Sequence, residues 1–171
     1  MAGEYKKVRE FKRDTVCRTL VDFLNRCYVM NSNELDDTEA AAYYNIKDLT
    51  VFGSFVNSDK EKVHDLDVHL VLERSELCSE MSYEEIEDFS LVSIPKTGDF
   101  VGTLYWLEVG SLNYLKNSSP ILSLDTEDDV EELSGTKVKL IEDYEFNKEN
   151  IKKIFEDNKF DISQMKLKFL R

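Results

Sequence analysis

Alternating hydrophobic and polar positions between about residues 48 and 73 predict two strands joined by a turn. The first apolar run, at about residues 48–52, leads into a Gly-Ser pair and a polar connection. The second run covers about residues 65–73. Its apolar side chains occupy every second position and therefore share one side of an extended chain: Leu66, Val68, Leu70 and Leu72. This side is expected to face the core.

Apolar residues recur at steps of three to five near the start of the chain, which predicts an amphipathic helix over residues 4–29. Residues 30–46 are polar and then rich in alanine and tyrosine. They predict a loop with a short helix near Glu39–Tyr44.

The second half of the chain carries further helix and strand signals. Ser82 opens a Ser-x-x-Glu capping box and predicts a short helix. Aromatic and β-branched residues over 100–109 predict a third strand. A helix is expected over 126–134, a closing strand over Lys137–Ile141, and a helical extension over 147–171 in which Asn147 is the N-cap.

Helices and strands together indicate an α+β protein with a small mixed β-sheet flanked by helices. The 171 residues, 42% of them hydrophobic, predict one domain over residues 1–171. No apolar run reaches the roughly 18–20 residues of a membrane span, and the charged N-terminus lacks the apolar region of a signal peptide. Three cysteines without metal-ligand spacing, Cys17, Cys27 and Cys78, predict reduced, mostly buried thiols in a cytoplasmic protein.

The net charge of −13 makes a long nucleic acid an unfavourable partner. Basic residues are concentrated only near the two ends of the sequence. An acidic protein still binds nucleotides where a metal ion and a few lysines reverse the local field.

Two acids on the second predicted strand suggest a cation site. Asp65 and Asp67 are two residues apart, so their side chains point the same way, roughly 6–7 Å apart along the strand. Paired carboxylates suit hard divalent cations such as Mg²⁺ or Mn²⁺. Gly53 and Ser54 offer backbone N–H groups and a hydroxyl to phosphate. Together these residues suggest nucleotide chemistry.

The order of these features resembles the signature of the polymerase β-like nucleotidyltransferase superfamily, in its minimal form. The features are an apolar residue, Gly-Ser, a gap of about ten residues and an Asp-x-Asp between apolar residues. The resemblance covers about residues 48–143 and implies a nucleotidyltransferase fold. It also implies magnesium-dependent transfer of a nucleoside monophosphate from a nucleoside triphosphate to an acceptor.

The resemblance implies a third acid on a third strand, and Glu108 matches it within the predicted strand 100–109. Asp65, Asp67 and Glu108 are then both the metal ligands and the catalytic residues. The family's minimal members often carry arginines soon after Gly-Ser, and this chain lacks them. Lys60 and Lys62 are candidates to contact the substrate in their place. His69 shares the face of the acids, where a polar residue on an open strand face is the simpler interpretation.

The resulting hypothesis is a nucleotidyltransferase with ATP as the commonest donor and a hydroxyl on a protein, an RNA or a small molecule as acceptor. The resemblance also implies a small helical protein as partner or acceptor, as in toxin–antitoxin pairs. The alternative is a catalytically decayed module that binds a nucleotide or a partner protein, such as an antitoxin-like regulator. A third alternative is an unrelated acidic regulatory protein.

Overall fold

The computed structural model describes residues 8–32, 42–163 and 165–170, and these form an α+β structure. The α+β class expected from the sequence is confirmed. No helix within the described ranges is long and apolar enough to cross a membrane.

Within these described residues, seven strands form two sheets. They are β1 (Phe11–Lys12), β2 (Tyr44–Phe52), β3 (Lys62–Val63), β4 (Leu66–Arg74), β5 (Leu122–Asp125), β6 (Val138–Glu142) and β7 (Glu145–Phe146). The main sheet has the order β5-β4-β2-β6-β7, and β1 pairs with β3 in a small second sheet. Only the β4–β5 pair of the main sheet is parallel.

In the part of the chain that the structure describes, six α-helices surround the strands. They are α1 (Arg13–Ser32), α2 (Ser54–Asn57), α3 (Glu76–Glu80), α4 (Tyr83–Phe89), α5 (Phe100–Lys116) and α6 (Lys148–Asp157). Short 3-10 turns cover Val130–Glu132 and Lys168–Leu170. The core lies between α1, α5, α6 and the central strands, where β2 and β4 present Leu49, Val51, Val68 and Leu70 to it. All three cysteines are buried and free, and burial raises the pKa of the Cys17 thiol to about 12.

Several predicted elements are confirmed with small changes of boundary. The strands expected at 48–52 and 65–73 are β2 and β4, and the strand expected at Lys137–Ile141 is β6. Ser82 accepts a hydrogen bond from the Glu85 N–H, and the Glu85 side chain bonds back to the Ser82 N–H, so the capping box is present. Asn147 caps α6 through the Asn150 N–H.

The predicted helix at 4–29 begins too early. Within the described part of that range, Phe11 and Lys12 pair with Val63 and Lys62 in the small sheet, and the helix starts at Arg13. The short helix expected near Glu39–Tyr44 is also wrong over its described residues, because Tyr44 opens β2. Residues 4–7 and 39–41 lie outside the described ranges.

The predicted third strand at 100–109 is wrong, because these residues belong to the helix α5. Asp99 caps it by accepting a hydrogen bond from the Gly102 N–H. Its buried positions are spaced by four residues, the period of a helix face: Thr103, Leu107, Ser111 and Leu115. The residues that favoured a strand include Val101, Tyr105 and Trp106, which are exposed. The Asp99 cap and the packing of the buried helix face therefore outweigh the strand propensity of these residues.

The helix predicted at 126–134 is reduced to a 3-10 turn at Val130–Glu132. The Asp125 carboxylate accepts hydrogen bonds from the N–H groups of Glu127 and Asp128, and Asp129 accepts one from Glu131. Such local side-chain bonds to the backbone favour turns over helix. The strand β5 just before them was not predicted.

Candidate functional site

Asp65 and Asp67 lie at the start of β4, next to the turn that ends β2. Asp67 pairs with Phe52 of β2 and with Ser123 of β5, so it occupies a central strand. Both acids are half-buried. The two carboxyls lie close enough for Asp65 to raise the pKa of Asp67, which agrees with the predicted common orientation of the two side chains.

The charge of Asp67 is unfavourable in this environment. Loss of solvent, the neighbouring Asp65 charge and the hydrogen bond between the two carboxyls raise the pKa of Asp67 from 3.8 to about 6. A hydrogen bond between two carboxyls requires a proton between them, and above this pKa that proton is lost. A cation placed between the ionised carboxylates would relieve their repulsion.

The Gly53 turn brings backbone against this pair. Gly53 has φ 75° and ψ −159°, a conformation open essentially only to glycine. Its carbonyl accepts hydrogen bonds from the N–H groups of Val56 and Asn57, the last two residues of the four-residue α2. The N–H groups of Ser54 and Phe55 therefore have no acceptor within the helix.

Asn57 holds the other side of the turn. Its side-chain amide donates to the carbonyls of Gly53 and Thr136, both at 3.0 Å, and its oxygen accepts from the Thr136 N–H at 2.6 Å. The turn is thus fixed to the segment that leads into β6.

The face of the sheet that carries Asp67 extends onto β5. The parallel register pairs Asp67 with Ser123 and His69 with Asp125, so these four side chains share one face. The open strand face expected at His69 is wrong, because His69 is buried and its Nε2 lies 2.6 Å from the Asp128 carbonyl oxygen. This contact holds the turn after β5 over the face and gives His69 a structural role.

Asp125 is an acid on the neighbouring strand that the sequence interpretation missed. Partial burial raises the pKa of Asp125. Hydrogen bonds from the N–H groups of Glu127 and Asp128 lower it, as do a bond with the Asp128 side chain and the charge of the His69 ring. Together they hold the pKa of Asp125 below its ordinary value. The signal for its strand was the alternation of Leu122 and Leu124 with polar residues, directly before Asp125.

Glu108 does not fulfil the role expected of a third acid on a strand. It is an exposed residue of α5, and its charge acts on the Tyr44 phenol, whose pKa is raised first by burial and then by Glu108. Tyr44 begins the nine-residue β2 and Gly53 follows its end. The two ends of such a strand are about 27 Å apart, so Glu108 belongs to the opposite end of the sheet.

Lys60 and Lys62 lie in the connection between α2 and β4 and line a cleft of about 1060 Å³. Neither Asp65 nor Asp67 lines that cleft. The two lysines therefore line a cleft to which the carboxyl pair does not contribute, although Phe55 and Val56, just after the Gly53 turn, line it as well.

Within the described residues, no group of three or more His, Cys, Asp or Glu side chains is arranged to hold a metal ion. The convergence of Asp65, Asp67 and Glu108 on one cation is thus not observed. What the structure brings together is a carboxyl pair and a glycine turn.

Comparison with protein-family models, with curated proteins and with solved structures gave no match.

Proposed function

We propose that this chain is a metal-dependent nucleotidyltransferase that moves a nucleoside monophosphate from a nucleoside triphosphate, with ATP as the commonest donor, to an acceptor hydroxyl. The acceptor hydroxyl belongs to a protein, an RNA or a small molecule. The observation that supports the proposal is the packing of the Asp67 carboxyl, whose pKa the neighbouring Asp65 raises, against Gly53.

The carboxyl pair fits Mg²⁺ or Mn²⁺ as a ligand set. Mg²⁺ sites commonly use one or two carboxylates and complete their coordination with substrate phosphates and water. Asp65 and Asp67 supply that number, and their mutual repulsion when both are ionised favours a cation between them. A bound ion would neutralise the phosphate charge and polarise the transferred phosphoryl group.

The glycine turn is proposed to hold the leaving group. The absence of a side chain at Gly53 makes room for the Asp67 carboxyl beside the turn. The N–H groups of Ser54 and Phe55, which have no acceptor within the helix, would bind the β- and γ-phosphates. The Ser54 hydroxyl adds a further donor. These contacts would orient the leaving pyrophosphate in line with the attacking hydroxyl.

A second candidate function is a nucleotide-binding or partner-binding module without turnover. The observation that favours it is the position of Glu108 on α5, because the described site then has two acids where the resembled family has three. Asp65, Asp67 and the Gly53 turn would still bind a metal–triphosphate complex. The two candidate functions differ in turnover and agree in binding.

Calorimetry with each nucleoside triphosphate, with and without Mg²⁺, tests the binding that both functions share. Pyrophosphate release and transfer of label from the α-phosphate then test turnover. The Asp65→Asn/Asp67→Asn variant should reduce metal-dependent binding and transfer at least about 100-fold. The matched control is Asp22→Asn/Glu80→Gln, which removes two exposed carboxylates outside both the carboxyl pair and the cleft that Lys60 and Lys62 line. Unaltered transfer by the first variant would refute the site, and metal-dependent binding without transfer would favour the second candidate.

A further inference from the structure

A second candidate binding site lies in the cleft of about 1060 Å³ that Lys60 and Lys62 line. Its walls come from four parts of the chain: the start of α1, residues 55–62, residues 136–138 before and within β6, and α6 with the residues after it. Phe55, Val56, Val138 and Ile154 supply apolar surface within it.

The charge of this cleft is opposite to that of the protein. The whole chain has 22 basic and 35 acidic residues. The cleft has seven basic residues against four acidic ones, Asp14, Asp59, Glu61 and Asp157. The basic residues are Lys12, Arg13, Lys60, Lys62, Lys137, Lys153 and Lys159.

Most of these cations have no carboxylate partner. Among the described residues, the ion pairs use Arg18, Lys47, Lys96 and Lys139, all of which lie outside the cleft. No described carboxylate pairs with Lys12, Lys60, Lys62, Lys153 or Lys159 within 4.0 Å. Asp14, in contrast, is already paired with Arg18. The lysine charges therefore remain available to an anionic ligand.

Arg13 and Lys137 fix the walls of the cleft. The Arg13 guanidinium donates to the carbonyls of Lys60, Phe55 and Ser58 and to the Asn158 side chain. Lys137 Nζ donates to the Val130 carbonyl oxygen at 3.1 Å. Both bond to neutral acceptors, so their positive charge is not cancelled by these contacts.

We propose that the cleft binds a small ligand that carries several phosphate groups and is about the size of a nucleotide. Clustered, unpaired ammonium groups on opposite walls suit a compact polyanion. The cleft volume of about 1060 Å³ is slightly above the range of small-molecule sites, about 300–1,000 Å³. A long nucleic acid is disfavoured, because beyond the cleft it would meet a protein surface with a net negative charge.

This inference does not depend on the proposed transferase activity. Neither Asp65 nor Asp67 lines the cleft, and the lysines of the cleft need no metal ion to bind phosphate. Chelation of divalent ions therefore separates the two sites in an experiment.

Calorimetry with inorganic tripolyphosphate, in EDTA and at low salt, tests the proposal. The wild-type chain should bind tripolyphosphate, and Lys62→Gln/Lys153→Gln should weaken binding about tenfold or more, since it removes one cation from β3 and one from α6. The matched control is Lys96→Gln/Lys152→Gln, in which Lys152 is the neighbour of Lys153 on α6 but does not line the cleft. Equal weakening by both variants, or no binding by the wild type, would overturn the proposal.

Two further measurements separate the alternatives. Binding in EDTA should survive in Asp65→Asn/Asp67→Asn, and loss in that variant would place the anion at the carboxyl pair. A single-stranded oligonucleotide of about 15 residues should bind more weakly than tripolyphosphate, because it reaches beyond the cleft to the acidic surface. Preference for the oligonucleotide would overturn the assignment to a small polyphosphate ligand.

Discussion

The Asp67 carboxyl lies so close to Gly53 that a β-carbon on that glycine would be 2.2 Å from Asp67 Oδ2. Gly53 also has φ +75°, which disfavours any L side chain. The Gly53→Ala variant should therefore carry both a backbone cost and a displacement of Asp67. We expect a loss of about 3–5 kcal/mol in the free energy of unfolding, measured by urea denaturation.

Gly98→Ala is the control for this substitution. Gly98 has the same φ of +75°, but a β-carbon there has no neighbour within 4 Å. It should cost only about 1–2 kcal/mol. Equal losses in the two variants would contradict the close packing of Gly53 against Asp67.

The raised pKa of Asp67 gives the stability of the protein a specific pH dependence. The pKa is about 6 in the folded chain and 3.8 in an ordinary aspartate. Between these values the folded chain binds more protons than the unfolded chain, so its stability falls as the pH rises from about 4 to about 6. For a half-buried carboxyl partly screened by solvent, the loss is about 1–2 kcal/mol.

Asp67→Asn removes the unfavourable charge. The variant should be about 1–2 kcal/mol more stable than the wild type at pH 7.5, and this gain should disappear by pH 4. Urea denaturation across this range measures it. Asp22→Asn, at an exposed position of α1 outside the pair, gives the effect of removing one unpaired charge from this acidic protein. A gain that stays constant from pH 4 to pH 7.5 would argue against the raised pKa.

The strand–turn–strand unit was predictable because its signals are local. Alternating apolar residues define β2 and β4, and a Gly-Ser pair between strands indicates the turn. The relationship of Asp65 to Asp67 follows from the two-residue period of a strand. These features need no information about distant residues, and they account for the part of the candidate site that the structure reproduces.

Glu108 and the cleft were not predictable in the same way. The strand propensity of residues 100–109 is real, but the Asp99 cap and the packing of Leu107 and Leu115 decide for a helix. The cleft joins residues separated by more than 140 positions, such as Arg13 and Lys159. Sequence patterns of short range do not show which lysines from distant elements come together.

Removal of Glu108 should leave the binding of Mg²⁺ intact. At pH 7.5, Mg²⁺ at ten times its dissociation constant should stabilise the wild type by about 1.4 kcal/mol, observed as a rise in Tm. Glu108→Gln should retain this rise, because α5 carries Glu108 to the opposite end of the sheet from Gly53. Asp67→Asn should lose most of it. If Glu108→Gln lost as much of the Mg²⁺-dependent rise in Tm as Asp67→Asn, Glu108 would be a metal ligand after all.

The segment between Gly53 and Asp65 should depend on the guanidinium of Arg13. This group donates to three carbonyls of the segment and to Asn158, and a lysine has one nitrogen with which to replace them. Arg13→Lys should therefore cost about 2–3 kcal/mol in the free energy of unfolding. It should also increase hydrogen exchange at the amides of residues 55–60.

Arg18→Lys is the matched control, because both guanidinium groups lie 5.7 Å from an aromatic ring centroid, over Phe55 and Phe160 respectively. Arg18 differs in making an exposed i, i+4 ion pair with Asp14 and no bond to a carbonyl of the 55–60 segment. Its replacement should cost at most about 0.5 kcal/mol. If Arg13→Lys lowered the free energy of unfolding equally little, the positive charge of Arg13, rather than its several N–H donors, would hold the wall of the cleft.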